Sequence, residues 1–331
     1  MTRSITPTDG WACLRYARCT PPPTGSPPVT ESPPQTKSRS RSARSWFTAM
    51  LAGVAMFGLT ALGQAQPASA QNAVFDTGNT VVTGFSGIKE DENAPSPTGN
   101  QLDKFFIDTD GASVKVFKVN TPKTQEGQLL DAPAGFTIPA SKVGQVFAIA
   151  LEENVDGETP PNIYLGATSV FGLNIVTTDA SGQTQRSTTG ADSAVWMDGQ
   201  FGPTADGTGP GTIYKVDGVT GDVSVFAALP NNTGPGVGDI VYDKTTQQFF
   251  ASDLDTGLIH RIDSAGTVLD SFDHGTMGLP AAGQAPIADD GSTIDITNAG
   301  FDSTNPTTWG FTQRERMVWG LAMHGGRLYY A

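Results

Sequence analysis

Cysteine is almost missing from this sequence: two in 331 residues, Cys13 and Cys19, both near the N-terminus. Disulfide scaffolding, a thiol nucleophile and cysteine-ligated zinc are thereby excluded for everything beyond residue 19. Charge is sparse at 16% of residues and lopsided, with 20 Lys and Arg against 33 Asp and Glu and a net charge of −13. Phosphate binding wants a basic face that releases counterions, so a nucleic-acid partner is excluded. There are only three histidines, His260, His274 and His324, and none stands in an H-x-x-x-H or H-E-x-x-H spacing, which removes a zincin site. No G-x-S-x-G, P-loop or G-x-G-x-x-G falls between a strand and a helix. What is plentiful is Gly, at 39, and Pro, at 23. These cost about 1 and about 3 kcal/mol per interior helix position, so a helical bundle is excluded and a turn-rich, mostly β chain remains.

The N-terminal part reads as two segments. Residues 1–44 hold Pro21, Pro22, Pro23, Pro27, Pro28, Pro33 and Pro34 among Ser and Thr, too little apolar surface to offset the entropy of folding. That predicts a disordered leader or a misassigned start. Arg39, Arg41 and Arg44 then precede the uncharged apolar run 46–62 and Ala68-Ser69-Ala70, so 45–70 reads as a secretory signal cleaved near Ala70. The expected destination is secreted, periplasmic or cell-envelope. The alternative is an N-terminal membrane anchor, since 17 apolar residues lie at the short edge of a span; no other segment offers a membrane contact. Residues 1–70 hold seven of the 20 basic and two of the 33 acidic residues, so 71–331 carries −18.

Within 71–331 the sequence repeats itself. Gly211-Thr-Ile-Tyr-Lys-Val-Asp217 with Gly221-Asp-Val-Ser-Val-Phe226 matches Gly257-Leu-Ile-His-Arg-Ile-Asp263 with Gly266-Thr-Val-Leu-Asp-Ser-Phe272. Phe105-Phe-Ile-Asp108 with Val114-Lys-Val-Phe117 reads as a third copy. Each is an alternating strand, an Asp/Gly turn and a second alternating strand, which predicts a β-hairpin. Two further strands precede two of the copies, 146–151 and 162–167 before the first, 239–243 and 248–252 before the second. Four antiparallel strands per unit is the blade of a β-propeller, with a β-sandwich as the alternative.

The run Gly238-Asp-Ile-Val-Tyr-Asp243 followed by Gln248-Phe-Phe-Ala-Ser-Asp-Leu-Asp-Thr-Gly-Leu-Ile-His-Arg-Ile-Asp263 resembles a blade of the NHL-repeat and gluconolactonase-like propellers. The resemblance is clearest over 237–273, fainter over 143–229, and implies an all-β propeller, commonly of six blades. About three to four blade units are legible: 75–119 incomplete, 143–229, 237–275, and a last pair of strands at 317–323 and 327–331. Because propellers have typically 4 to 8 blades, the expectation is a C-terminally truncated ring.

In such blades the turns after strands one and three share one face, and the turn after strand two shares the other with the link between blades. The first face has short turns, 152–161 excepted. The second receives 120–142, 169–210 and 276–316, and long loops on a rigid scaffold are where function gathers. On that face Asp239, Asp253 and Asp255 could supply oxygens to Ca²⁺, with Asn231 and Asn232 beside them; Asp residues in such turns also cap their own amides. Trp196, Trp309 and Phe311 in the insertions could stack on a sugar or a partner's side chain, or anchor their loops. Trp319 is expected in the core, and His260, aligned with Tyr214, as a blade residue. Asp108-Thr-Asp-Gly111 lacks a Glu at its twelfth position, Val119, and reads as a plain turn, as does Asp289-Asp290-Gly291.

No catalytic constellation is legible. The sequence reads as an exported, non-enzymatic propeller presenting a loop-rich acidic face to a protein or carbohydrate partner. The alternative is a divalent-cation-dependent lactonase or lyase with its site at the central channel, as the resemblance implies for some members. The E-G-P-type ligand motif of the gluconolactonase-like proteins is missing here.

Overall fold

The computed structural model describes residues 3–5, 73–75, 78–118, 134–152, 159–204, 208–276 and 287–331. Of the segment read as a leader it describes β1 (Arg3–Ile5) alone. The apolar run 46–62, the Ala68–Ala70 site, Cys13 and Cys19 lie outside the described residues.

An incomplete unit comes first. Strands β2 (Asn79–Thr83), β3 (Ile88–Glu90), β4 (Phe105–Ile107), β5 (Ala112–Lys118) and β6 (Phe136–Pro139) form a three-stranded sheet ordered β2-β5-β6 and a separate β3-β4 ribbon. This corrects the third repeat copy: β4 pairs with β3, and both edges of β5 are occupied by β2 and β6. With no free edge on β5, the Asp108–Gly111 turn joins two sheets instead of closing a hairpin. It is otherwise the plain turn expected, Gly111 N donating to Asp108 O at 3.1 Å. The segment 120–142, read as a link, contains β6 and all but the last residue of the single-turn α1 (Ala140–Val143). Four residues ending in Pro are too few to show an alternation.

The next two units are the blades expected. Strands β7 (Val146–Leu151) and β8 (Ile163–Ala167) are followed by an inserted sheet of β9 (Ile175–Thr178), β10 (Thr184–Ser187) and β11 (Val195–Trp196), then by β12 (Thr212–Val216) and β13 (Val223–Ala228). The blade is ordered β7-β8-β12-β13, antiparallel throughout. Strands β14 (Val237–Asp243), β15 (Gln248–Asp253), β16 (Leu258–Ile262) and β17 (Val268–Asp273) form the second blade in sequence order. A last hairpin, β18 (Leu321–His324) and β19 (Arg327–Tyr330), has β1 on its outer edge. Cleavage near Ala70 would remove β1 and leave that edge of β19 unpaired.

The turns show why the repeat carries Asp and Gly. Asp217 Oδ1 accepts from the amides of Val219 and Thr220, both at 2.8 Å, and Asp263 Oδ1 accepts from Ala265 and Thr267 at 3.0 and 2.8 Å. The glycines completing these turns, Gly221 and Gly266, have φ of +79° and +88°, where a side chain is strained.

Each blade is covered on both faces. On β15 the neighbours Phe249 and Phe250 point to opposite sides of the sheet, yet each is only 1% exposed. Phe249 packs with Tyr164, Ile213 and Val237 between the two blades, and Phe250 with Phe272, Leu328 and Tyr330 toward the last hairpin. A third cluster, including Val114, Ile138, Val146 and Leu165, joins the first blade to the incomplete unit. The first strands of successive units also meet, β2 against β7, β7 against β14 and β14 against β18. Face-to-face stacking with first strands together is a propeller-like, all-β arrangement, and the sheets do not close into a ring among the described residues. Gly166 sits where blades approach: a Cβ there would lie 2.7 Å from Val237 Cβ.

Candidate functional site

The two long insertions fold onto each other on one face of the blades. Gly190 N donates to Phe301 O at 2.9 Å and Ser303 N to Thr188 O at 2.7 Å, so backbone bonds tie the first insertion to the link 287–316. Beneath them Leu173, Ile175, Ala194, Ile294 and Phe301 form a separate small core flanked by Trp196, Trp309 and Phe311. Apolar residues spaced through two loops thus produce a second layer.

Polar contacts fix this layer to the second blade. Ile294 N donates to Thr233 Oγ1 at 2.9 Å, and the amide and hydroxyl of Thr233 both donate to Asp255 Oδ2. Arg316, fully buried, donates to Asp273 Oδ1 at 3.1 Å, Ile287 O at 2.6 Å and Thr256 O at 2.7 Å. His274 Nε2 meets Arg316 O at 2.6 Å.

Between the insertion layer and the blade ends lies a cavity of about 300 Å³. Its walls include Val170 and Leu173 from the first insertion, Leu254 from the β15–β16 turn, and Trp309, Phe311 and Trp319 from the link to the last hairpin. All belong to the face predicted to carry the long loops. Trp309 Nε1 donates to Asp302 O at 2.9 Å, and its ring centroid lies 5.2 Å from that of Phe311. Trp319 corrects an expectation: it precedes β18 and is 42% exposed instead of buried. Its ring meets Phe147 edge-on at 6.1 Å. The strand expected over 317–323 begins only at Leu321, so Trp319 lies in the segment before it and not on an inward-facing strand position.

The sequence-predicted polar residues occupy the same face without forming one cluster. Asp253 is consumed by its turn: Oδ1 accepts from Asn232 Nδ2 at 2.6 Å and Asp255 N at 2.8 Å, and Oδ2 from Thr256 Oγ1 at 2.9 Å. Asn232 also donates to Gly236 O and accepts from Gly236 N, each at 3.1 Å. Asp239 accepts from Leu321 N at 2.7 Å and from Ile240 N at 2.8 Å, tying the second blade to β18; burial raises its pKa. Asn231 is exposed at a φ of +64°. Trp196 stands edge-on to Phe201 at 5.2 Å and lines a different recess, not the Trp309–Phe311 cavity. Among the described residues no group of three or more His, Cys, Asp or Glu side chains is arranged to hold a metal ion.

Ser271, His260 and Asp253 form a line unforeseen in the sequence, with Ser271 Oγ 2.8 Å from Nδ1 and Asp253 Oδ2 3.5 Å from Nε2. The imidazole and the carboxylate are fully buried, and none of the three lines the cavity. The line pins three neighbouring strands, in keeping with His260 as a blade residue.

Asp255 differs from Asp253. Its Oδ1 is buried without a hydrogen-bond partner, and burial, reinforced by Asp253 and Asp289, raises its pKa to about 6 against the Thr233 bonds that lower it. A carboxyl whose folded pKa is raised contributes stability below its unfolded pKa, and this is lost as pH rises through the folded value. Raising pH from about 5 to about 7 is therefore expected to cost about 1 kcal/mol through Asp255. Urea unfolding of wild type and Asp255→Asn checks this; the same pH dependence in both would remove Asp255 as the source.

No protein-family model matches the chain, and no curated protein matches it. Among solved structures it is similar to a calcium-binding protein, regucalcin, from Agrobacterium tumefaciens, at 11% identity and a TM-score of 0.20. The match covers 60% of this chain, which spans 58% of that structure's length. A likeness this loose carries nothing about ligand or activity.

Proposed function

We propose that the protein is an exported binding module that takes its ligand in the cavity beneath the two insertions. The observation that carries this reading is that both insertions, far apart in sequence, converge on one face and share a core whose aromatic edge is open to the cavity. Loops that only shielded the blade ends would leave no such recess, and concave, largely apolar sites with few polar groups are the usual form of a ligand pocket. The signal pattern at 45–70 supports export, and exposed Asp192, Asp198, Asp289 and Asp290 make the insertion layer acidic.

The test is a thermal-shift screen of neutral and charged small molecules against the purified full chain and its Val170→Trp variant. Val170 is 40% exposed on the cavity wall, so a larger ring there fills the recess without entering a core. Compounds that raise the melting temperature of wild type but not of the variant are the expected result. No such compound, or equal shifts in both proteins, overturns the reading.

A further inference from the structure

Resting on the reading that the insertion face binds in this cavity, we infer that the ligand is an uncharged, ring-bearing molecule of one or two fused rings with a single polar group. Its size is matched to the volume: about 300 Å³ corresponds to on the order of ten water volumes, room for a small bicyclic compound.

Its lack of charge follows from the wall. No Asp, Glu, Lys, Arg or His side chain lines the cavity, so an ionised ligand would lose its hydration and gain no counter-charge. Carbohydrate fares little better. The hydroxyls on the wall belong to Ser169 and Ser303, and that of Ser169 already faces Pro235 O at 3.5 Å. Most sugar hydroxyls would be left without partners, at a cost per unpaired group.

The ring follows from the aromatic edge. Trp309 is held by its indole bond to Asp302 O and leans on Phe311 with an interplanar angle of 57°. Trp319 stands at 87° to Phe147. These side chains keep π-faces and edges in place before any ligand arrives, and offset or edge-to-face stacking adds to simple burial. The single polar group is set by Ser303, whose hydroxyl has no hydrogen bond to protein among the described residues and lines the wall beside Trp309.

Isothermal titration of the full chain with 2-naphthol, naphthalene-2-carboxylate and methyl β-D-glucoside separates the classes. Saturable binding of 2-naphthol is expected, with the carboxylate and the glucoside weaker by about tenfold or more. Val170→Trp is expected to weaken naphthol binding by about tenfold, and Ser303→Ala by a few-fold. Val170→Phe, a smaller filler, serves if the tryptophan variant melts early. Should the carboxylate or glucoside bind as tightly as naphthol in wild type and be lost in Val170→Trp, the ligand class is overturned while the cavity reading stands. Naphthol binding that is absent, or unchanged in both filled variants, overturns the inference outright, and the thermal-shift screen then decides the cavity reading by itself.

Discussion

Replacing Arg316 with Met is expected to lower stability by about 3 kcal/mol and to release the link 287–316 from the second blade. Breaking a buried ion pair by removing one partner costs about 3–5 kcal/mol, and the lower end applies because the Asp273 side chain is 24% exposed. The Met stem preserves most of the packing, so the loss comes from polar groups. Asp273 Oδ1, Ile287 O and Thr256 O would each lose a donor at the point where the insertion layer is fastened. The release is expected to be local first, because the blade itself is held by ladder bonds and by Phe250 and Phe272. Urea unfolding gives the magnitude, and amide exchange over 287–316 gives the location. A loss below about 1 kcal/mol, with unchanged exchange in the link, would show that the apolar contacts of Trp309 and Phe311 suffice to seat it.

Phe249→Ala and Phe250→Ala are each expected to cost about 3–5 kcal/mol, and the pair is more informative than either alone. Phe249 touches the rings of Tyr164, Phe226 and Tyr242 at centroid distances of 4.2, 5.0 and 4.8 Å. Phe250 lies in the other interface with Phe272 and Tyr330. In a sheet with one solvated face, one of two consecutive strand residues is cheap to truncate. In a stacked blade both are expensive. Denaturant unfolding of the two variants, with the exposed Leu269→Ala as a reference for a surface change, checks the stacking. A cost below about 1 kcal/mol at either core position would place solvent on that face.

The blades were legible because their information is local. Alternation over 211–226 and 257–272, with Asp opening and Gly closing each turn, specifies both hairpins, and these appear as β12-β13 and β16-β17. The assignment of faces was legible too, since strand order in an antiparallel sheet dictates which turns lie together. The first unit was not. Its β5 satisfies the same pattern as a hairpin strand, but the choice of partner among β2, β4 and β6 depends on which edge is free, and no local pattern encodes that.

The candidate site divides in the same way. Trp309 and Phe311 were flagged as loop aromatics and do stand on the cavity wall. Trp196 carried the same signal and lies in another recess, while Trp319 carried none and joins the wall. Asp253 and Asp255, two residues apart in one turn, looked alike. One is saturated by amides and side chains; the other keeps one buried oxygen without a partner while its second oxygen takes both Thr233 donors.

By itself, then, the sequence determined the all-β class, the two four-stranded meanders and the face that bears the long loops, because each depends on periodicity and turn chemistry within a few dozen residues. Only the tertiary structure decided which aromatics share a cavity, which carboxylate is left unsatisfied, and that Arg316 fastens the link. Those outcomes depend on how segments separated by scores of residues meet, and burial is a property of the meeting and not of either segment.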